Sequence, residues 1–297
     1  MNHILTTVFF ILIGIMHKTH AQQSVLPYNL KQEDKRIILP AELREVSGIS
    51  IVDAETLVCV QDEEGIVFVY NLKKQEVTRT IDFAGPGDYE GITPAGNDLY
   101  VLRSDGTLFR IRDFEKKHPR VDSIQTGIPN KDNEGLCFDK TNKRLLIGSK
   151  SKISKGSEFK HLRTIYAFDL RSNTLQEQAL YTYDIQVIKE FAKQNNIELP
   201  TKPGKKNPED SVPVLKFQIS GIYIHPKSGF LYVLSASDYY LFVFDKTGAI
   251  RHLEVLDPKT FNKAEGIAIM PNGDLYISNE GQSGDPKILL FSEVDGK

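Results

Sequence analysis

The sequence predicts an all-β chain, a single β-propeller of five four-stranded blades, with six as the alternative count. One N-terminal strand closes the ring and one helical insertion interrupts it. Two observations carry this. A short block recurs five times, as Val46-Ser47-Gly48-Ile49, Tyr89-Glu90-Gly91-Ile92, Asn133-Glu134-Gly135-Leu136, Ile219-Ser220-Gly221-Ile222 and Ala264-Glu265-Gly266-Ile267. Its glycines are 43, 44, 86 and 45 residues apart, and a fixed period of this size marks a blade repeat. After each block come short apolar runs punctuated by turn residues such as Asp105-Gly106, Thr247-Gly248 and Pro271-Asn272-Gly273.

The chain has 297 residues, enough for one propeller and little else. Its beginning lies outside the fold. Ile4 to Met16 is an apolar run, followed by His17-Lys18-Thr19-His20-Ala21. Thr19 and Ala21 meet the small-residue rule for signal-peptide cleavage. Residues 1–21 are therefore expected to be removed and the chain exported, as a periplasmic, envelope-associated or secreted protein. No Lys or Arg precedes the run, which leaves an uncleaved anchor as the alternative. Against it, a helix from Ile4 to Met16 reaches only about 20 Å, short of a hydrocarbon core of roughly 30 Å. No transmembrane span is expected in the mature chain.

Residues 22–34 read as a lead-in and 35–297 as the propeller. Lys35 to Pro40 has the pattern of a blade's last strand, yet it precedes the first block. Blade one follows with Ile49–Val52, Thr56–Gln61, Ile66–Asn71 and Glu76–Phe83. Blade two runs from Gly91 through Leu99–Arg103, Leu108–Arg112 and Val121–Gln125. Blade three runs from Gly135 through Arg144–Ile147, Thr164–Asp169 and Leu175–Tyr183. Blade four has Gly221–His225, Phe230–Leu234, Leu241–Asp245 and His252–Leu256. Blade five has Gly266–Met270, Asp274–Ser278 and Lys287–Phe291 and lacks a fourth strand, which Lys35–Pro40 supplies.

Between blades three and four, residues 184–219 form the insertion. Asp184 is a candidate N-cap, with Ile185, Ile188, Phe191 and Ala192 on one helical face. Leu199 to Pro213 is rich in Pro and Lys and reads as loop. The remainder is too short for a sixth blade. Cys59 and Cys137 fall in strands of different blades and are expected as two buried thiols, not a bridge.

Strand direction alternates within a blade, so the start of the inner strand and the turn between second and third strands share one end. The insertion leaves and returns on that end and is expected over the channel mouth. The block residues Ser47, Glu90, Glu134, Ser220 and Glu265 would ring the mouth. Asp62, Asp105, Lys150, Asp238, Asn279 and Glu280 would stand at the turns around it as ligand-contacting residues.

The block order Ser, Glu, Glu, Ser, Glu, with Leu231-Tyr232-Val233-Leu234-Ser235 and Leu275-Tyr276-Ile277-Ser278-Asn279-Glu280, resembles the SdiA-regulated family of bacterial envelope propellers over most of the chain. That resemblance implies an exported or membrane-anchored propeller and no established reaction.

Three carboxylates converging on one axis need a cation, a basic partner or a proton. Glu90, Glu134 and Glu265 offer hard oxygen ligands with no His or Cys beside them, which favours Ca²⁺, with Mg²⁺ as the alternative, over Zn²⁺. Lys150 is the basic competitor. The bland alternative is that each Glu or Ser ties down backbone amides of the next blade, while Gly lets the strands crowd.

The chain has 37 basic and 39 acidic residues, net −2, which gives no reason for a nucleic-acid or membrane-surface partner. There is no GxSxG elbow, HExxH, phosphate loop or cysteine cluster. His161, His225 and His252 are expected at the surface, and Lys202-Pro203-Gly204-Lys205-Lys206 as a solvated loop. The expected function is a monomeric binding module for a small molecule or envelope protein. The alternative is a metal-dependent hydrolase of lactones or phosphoesters using the same ring.

Overall fold

The computed structural model describes residues 25–205 and 207–294. The expected signal peptide, residues 1–21, lies outside the described residues.

In chain order, β1 (Lys35–Ile38) leads by a short 3-10 turn (Ala41–Leu43) into blade one: β2 (Val46–Ile51), β3 (Thr56–Gln61), β4 (Ile66–Asn71) and β5 (Glu76–Asp82). Blade two is β6 (Tyr89–Ala95), β7 (Asp98–Arg103), β8 (Thr107–Arg112) and β9 (Arg120–Gln125). Blade three is β10 (Asn133–Asp139), β11 (Arg144–Ser149), β12 (Leu162–Asp169) and an outer edge in two pieces, β13 (Thr174–Leu175) and β14 (Tyr181–Asp184). The insertion holds α1 (Ile185–Gln194) and a hairpin, β15 (Thr201–Pro203) and β16 (Ser211–Pro213). Blade four is β17 (Gly221–Ile224), β18 (Leu231–Ser235), β19 (Tyr240–Phe244) and β20 (Ile250–Val255). Blade five is β21 (Ala264–Ile269), β22 (Leu275–Asn279) and β23 (Lys287–Phe291).

Why the middle strands are apolar without a break follows from the architecture. In β3, Leu57 and Cys59 face the core shared with blade five, while Val58 and Val60 face the core shared with blade two. Both faces of a blade are covered by neighbours, so alternation survives only on outer strands such as β5, where exposure alternates along Glu76–Asp82. Five buried clusters result, one per blade interface.

The ring closes as expected. β1 pairs antiparallel with β23, from Lys35 opposite Leu290 to Ile38 opposite Lys287. Inner strands β2, β6, β10, β17 and β21 contact one another in a closed circle. Cys59 and Cys137 are free and buried. Among the described residues no helix is long and apolar enough to cross a membrane.

Three features depart from the sequence reading. The outer strand expected over Leu175–Tyr183 is split, because residues between β13 and β14 leave the edge of β12 and rejoin it at Tyr181. The loop expected over Leu199–Pro213 contains the β15–β16 hairpin. The insertion's helix packs on outer strands, while its returning end brings Gln218 to the mouth. Helix α1 contacts β14 and β20, on the outer sides of blades three and four. Asp184 caps it, accepting from the Gln186 amide at 2.8 Å. Ile185, Ile188 and Ala192 bury into the interface core with Leu215, Phe217 and Ile219. An apolar helix face is stabilised there, where it removes surface from water, and not over a polar mouth.

The lead-in is also more than a linker. Leu26, Tyr28 and Leu30 pack into the core between blades four and five. Tyr28 donates from its hydroxyl to the Gly273 carbonyl at 2.7 Å and lies 3.0 Å from His225 Nε2. His225, expected at the surface, is buried between Tyr28 and Tyr232, and burial pushes its pKa down.

Candidate functional site

Each block carries a β-bulge. Val46 pairs with Gln61 and Gly48 with Val60, so Ser47 is an extra residue on the inner strand. The same shift falls at Glu90, at Glu134 and at Glu265-Gly266. In blade four the Ser220 amide donates to the Leu234 carbonyl while Gly221 pairs with the same residue. A bulge breaks the alternation of side chains and re-aims one of them. It is the local reason a Glu or Ser leaves the apolar faces of its blade.

The two serines are committed to structure. Ser47 Oγ donates to the Tyr89 carbonyl of blade two at 2.6 Å, and Ser220 Oγ to the Ala264 carbonyl of blade five at 2.9 Å. They tie carbonyls, not amides, of the next blade. Ser220→Ala is expected to cost about 1 kcal/mol, the worth of one buried hydrogen bond. A shift of the urea midpoint at unchanged slope would measure it.

Glutamates at the other three positions cannot donate when ionised, and they meet different partners. Glu134 pairs with Lys150. Glu265 lies 3.4 Å from Lys263, whose ammonium is also 2.5 Å from Glu280. Glu90 makes no ion pair among the described residues. Burial raises the pKa of all three glutamates. For Glu90 the charges of Glu134, Asp88 and Glu265 add to it and push the carboxyl up to about 9. For Glu134 and Glu265 the direction is the same, opposed by their lysines. Burial also raises Asp62, to about 6, with Glu45 and Glu280 adding to it.

Glu134, Lys150, Ser220, Lys263 and Glu265 line one cavity of about 200 Å³, with Asn262 and Tyr239 on its wall. Glu90 and Asp62 join it through the field: Glu90 feels Glu134 and Glu265, and Asp62 feels Glu280 and Lys263. Three expected contacts are engaged elsewhere, and a fourth, Asn279, keeps a buried Oδ1 without a hydrogen-bond partner among the described residues. Asp105 bonds Arg103 and the Thr107 amide, which lowers its pKa to about 2. Asp238 accepts from the amides of Lys216 and Phe217 and so anchors the returning end of the insertion. Ser47 is bonded as above. Asn279 is fully buried, its amide nitrogen 3.5 Å from the Ile277 carbonyl.

Sequence reasoning missed the positions two residues before each block residue: Glu45, Asp88, Asp132, Gln218 and Lys263. Each stands before the start of its inner strand, ahead of the bulge, where alternation along the strand does not tell which way a side chain turns. Asp132 feels Lys150 and Asp88, and burial raises its pKa. The mouth thus gathers eight carboxylates (Glu45, Asp62, Asp88, Glu90, Asp132, Glu134, Glu265, Glu280) in one electrostatic network with two lysines. Asp62 Oδ1 and Asn262 Oδ1 are buried acceptors without a hydrogen-bond partner among the described residues. No three His, Cys, Asp or Glu side chains among the described residues are grouped to hold a metal ion. Ammonium groups stand beside Glu134 and Glu265 instead.

The sequence profile of the family described as SdiA-regulated matches residues 24–283. No curated protein matches the sequence. Among solved structures, Myxococcus xanthus glutaminyl cyclase superposes with a TM-score of 0.54 at 12% identity, covering 88% of this chain and 94% of that one. A chain from a nidogen–laminin complex gives 0.50 at 14% identity, covering 85% and 77%. At such identities the likeness is one of fold alone.

Proposed function

We propose, for a chain that belongs to the SdiA-regulated family, the role of an exported, non-catalytic binding module that captures a ligand through a protonated amine. The observation that carries this reading is the imbalance at the mouth. Eight carboxylates share two lysines, and buried acceptors on Asp62 and Asn262 lack donors. An ammonium group supplies both a charge and several donors to such a site. It would take the place beside Glu90, the ring glutamate without an ion pair, and leave the lysine pairs of Glu134 and Glu265 intact. Export rests on the apolar run and small residues before Gln22.

Calcium is the competing occupant of the same carboxylates, with magnesium behind it. As the side chains stand, they do not fit it. An ion would need Lys150 and Lys263 to leave Glu134 and Glu265, because a hard cation takes 6–8 oxygen ligands. Melting of the mature chain with putrescine, with calcium and with neither separates the two. Putrescine at millimolar concentration is expected to raise the melting temperature by a few degrees through linkage, and Glu90→Gln to remove that rise. A rise with calcium alone, reversed by chelation, would replace the amine by the metal. No response to either would overturn the reading. The hydrolytic alternative is scored on the same protein as turnover of lactone and phosphoester panels with and without EDTA.

A further inference from the structure

A second polar cavity lies away from the acidic mouth, and its chemistry is opposite. It occupies about 340 Å³ between the start of β12, helix α1 and the β15–β16 hairpin. Lys160, Arg163, Lys189, Lys202 and Lys205 line it. None of the five makes an ion pair with a carboxylate among the described residues.

Each element brings its cations there for a local reason. Arg163 is fixed, with Nη1 donating to the Leu162 carbonyl at 2.9 Å and Nη2 to the Lys216 carbonyl at 3.0 Å. Its Nε is buried and has no partner among the described residues. Asp238, the carboxylate that Arg163 feels, is occupied by the amides of Lys216 and Phe217. Lys189 stands on α1 one turn beyond Ile185, and burial, then Lys202 and Lys160, lower its pKa. Three ammonium groups therefore repel one another across the cavity. The helix start adds little, since Asp184 already takes the Gln186 amide. His161 and Gln186, bonded to each other at 3.1 Å, also line it, and Ile185, Val214 and Leu215 give it an apolar wall.

We propose that this cavity, at the rim between blades three and four, binds an organic phosphate. The phosphate would sit among Lys160, Lys189 and Lys202 beside the free Arg163 Nε, and its apolar substituent against Ile185, Val214 and Leu215. A dianion suits the site better than a carboxylate, because several cations there make no ion pair with a carboxylate among the described residues. The volume exceeds what one inorganic anion fills and falls in the range of small-molecule sites, roughly 300 Å³ upward. By strand direction the cavity is on the same face as the acidic mouth, since β12 starts where β10 starts. It is independent of what the mouth binds.

Titration calorimetry of the mature chain with phenyl phosphate in low salt tests this. Phenyl phosphate is expected to bind at least about tenfold more tightly than inorganic phosphate, from burial of the ring. The double change Lys189→Ala, Lys202→Ala is expected to weaken phenyl phosphate at least about tenfold, from loss of two charge-assisted contacts. Glu90→Gln is expected to leave it unchanged. If the double variant does not fold, Lys202→Glu on the exposed hairpin gives the same reading. Absence of binding, or binding that survives the lysine changes, would overturn the site. Equal affinity for inorganic and phenyl phosphate would overturn the organic ligand.

Discussion

A chain starting at Ala41 is expected to fail to form a soluble monomer. Among the described residues the lost segment carries five buried apolar side chains: Leu26, Tyr28, Leu30, Ile37 and Leu39. At about 1.5–3 kcal/mol each, their burial is worth on the order of 10 kcal/mol, comparable to the whole stability of an ordinary domain. Hydrogen bonds go with them: the Asp34 amide to the Leu290 carbonyl at 2.9 Å, the Leu39 amide to Pro286 at 2.8 Å, and the β1–β23 ladder. What remains is β23 as an open edge carrying Ile288, Leu289 and Phe291, and such an edge recruits other chains. Size-exclusion elution and far-ultraviolet circular dichroism read the outcome. A monomer melting cooperatively near the parent temperature would show that β1 is dispensable and that the ring closes by another route.

The repeat was legible because the ring imposes it sterically. A Cβ added to Gly221 would stand 2.3 Å from the Glu265 carbonyl oxygen, and one on Gly48 2.8 Å from that of Glu90. Inner strands crowd around the axis, so each block must present a glycine to the next blade. Strand count and closure followed from that spacing. The helix was legible from its cap and its apolar face, but its destination was not, since periodicity says which face is buried and not against what. His225 was misread for a related reason: its partner Tyr28 comes from 197 residues away. At the site, the converging glutamates were legible. Their lysine partners were half legible, Lys150 by its turn and Lys263 not at all. Asp105 serves the Thr107 amide two residues on, as acidic turn residues often do, and Asp238 holds the Lys216 and Phe217 amides, partners its turn position does not reveal. The bulges left no signal beyond the block itself.

Glu90→Gln is expected to stabilise the protein in alkaline buffer and to flatten its stability across pH. Glu90 is partly buried, without an ion pair among the described residues, and its pKa rises from an ordinary 4.5 to about 9, from burial first and then from Glu134, Asp88 and Glu265. The folded form therefore holds the proton more tightly than the unfolded chain. Stability from this group is fully present below about 4.5 and is lost as pH rises through about 9. The parent's melting temperature should fall from pH 6 to pH 9 in buffer free of divalent cations and amines. Glutamine keeps the shape and carries no charge, so the variant should not show that fall. At pH 9 the gain is on the order of 2 kcal/mol, well below what the whole shift implies because the carboxyl keeps some contact with solvent. For a propeller of this size that is roughly 5 °C. Glu134→Gln should stabilise less at pH 9, although burial raises the pKa of its carboxyl too and the change removes a charge from the same ring. It strands the Lys150 ammonium, whose pKa the Glu134 charge helps to hold above its usual value, and breaking a pair that is buried on one side destabilises. Melting curves of parent and both variants from pH 5 to pH 9 decide the matter. If both substitutions raise the curve equally at pH 9, the ring is not divided into one free and two lysine-paired carboxylates. If Glu90→Gln runs parallel to the parent across that range, Glu90 does not hold the extra proton.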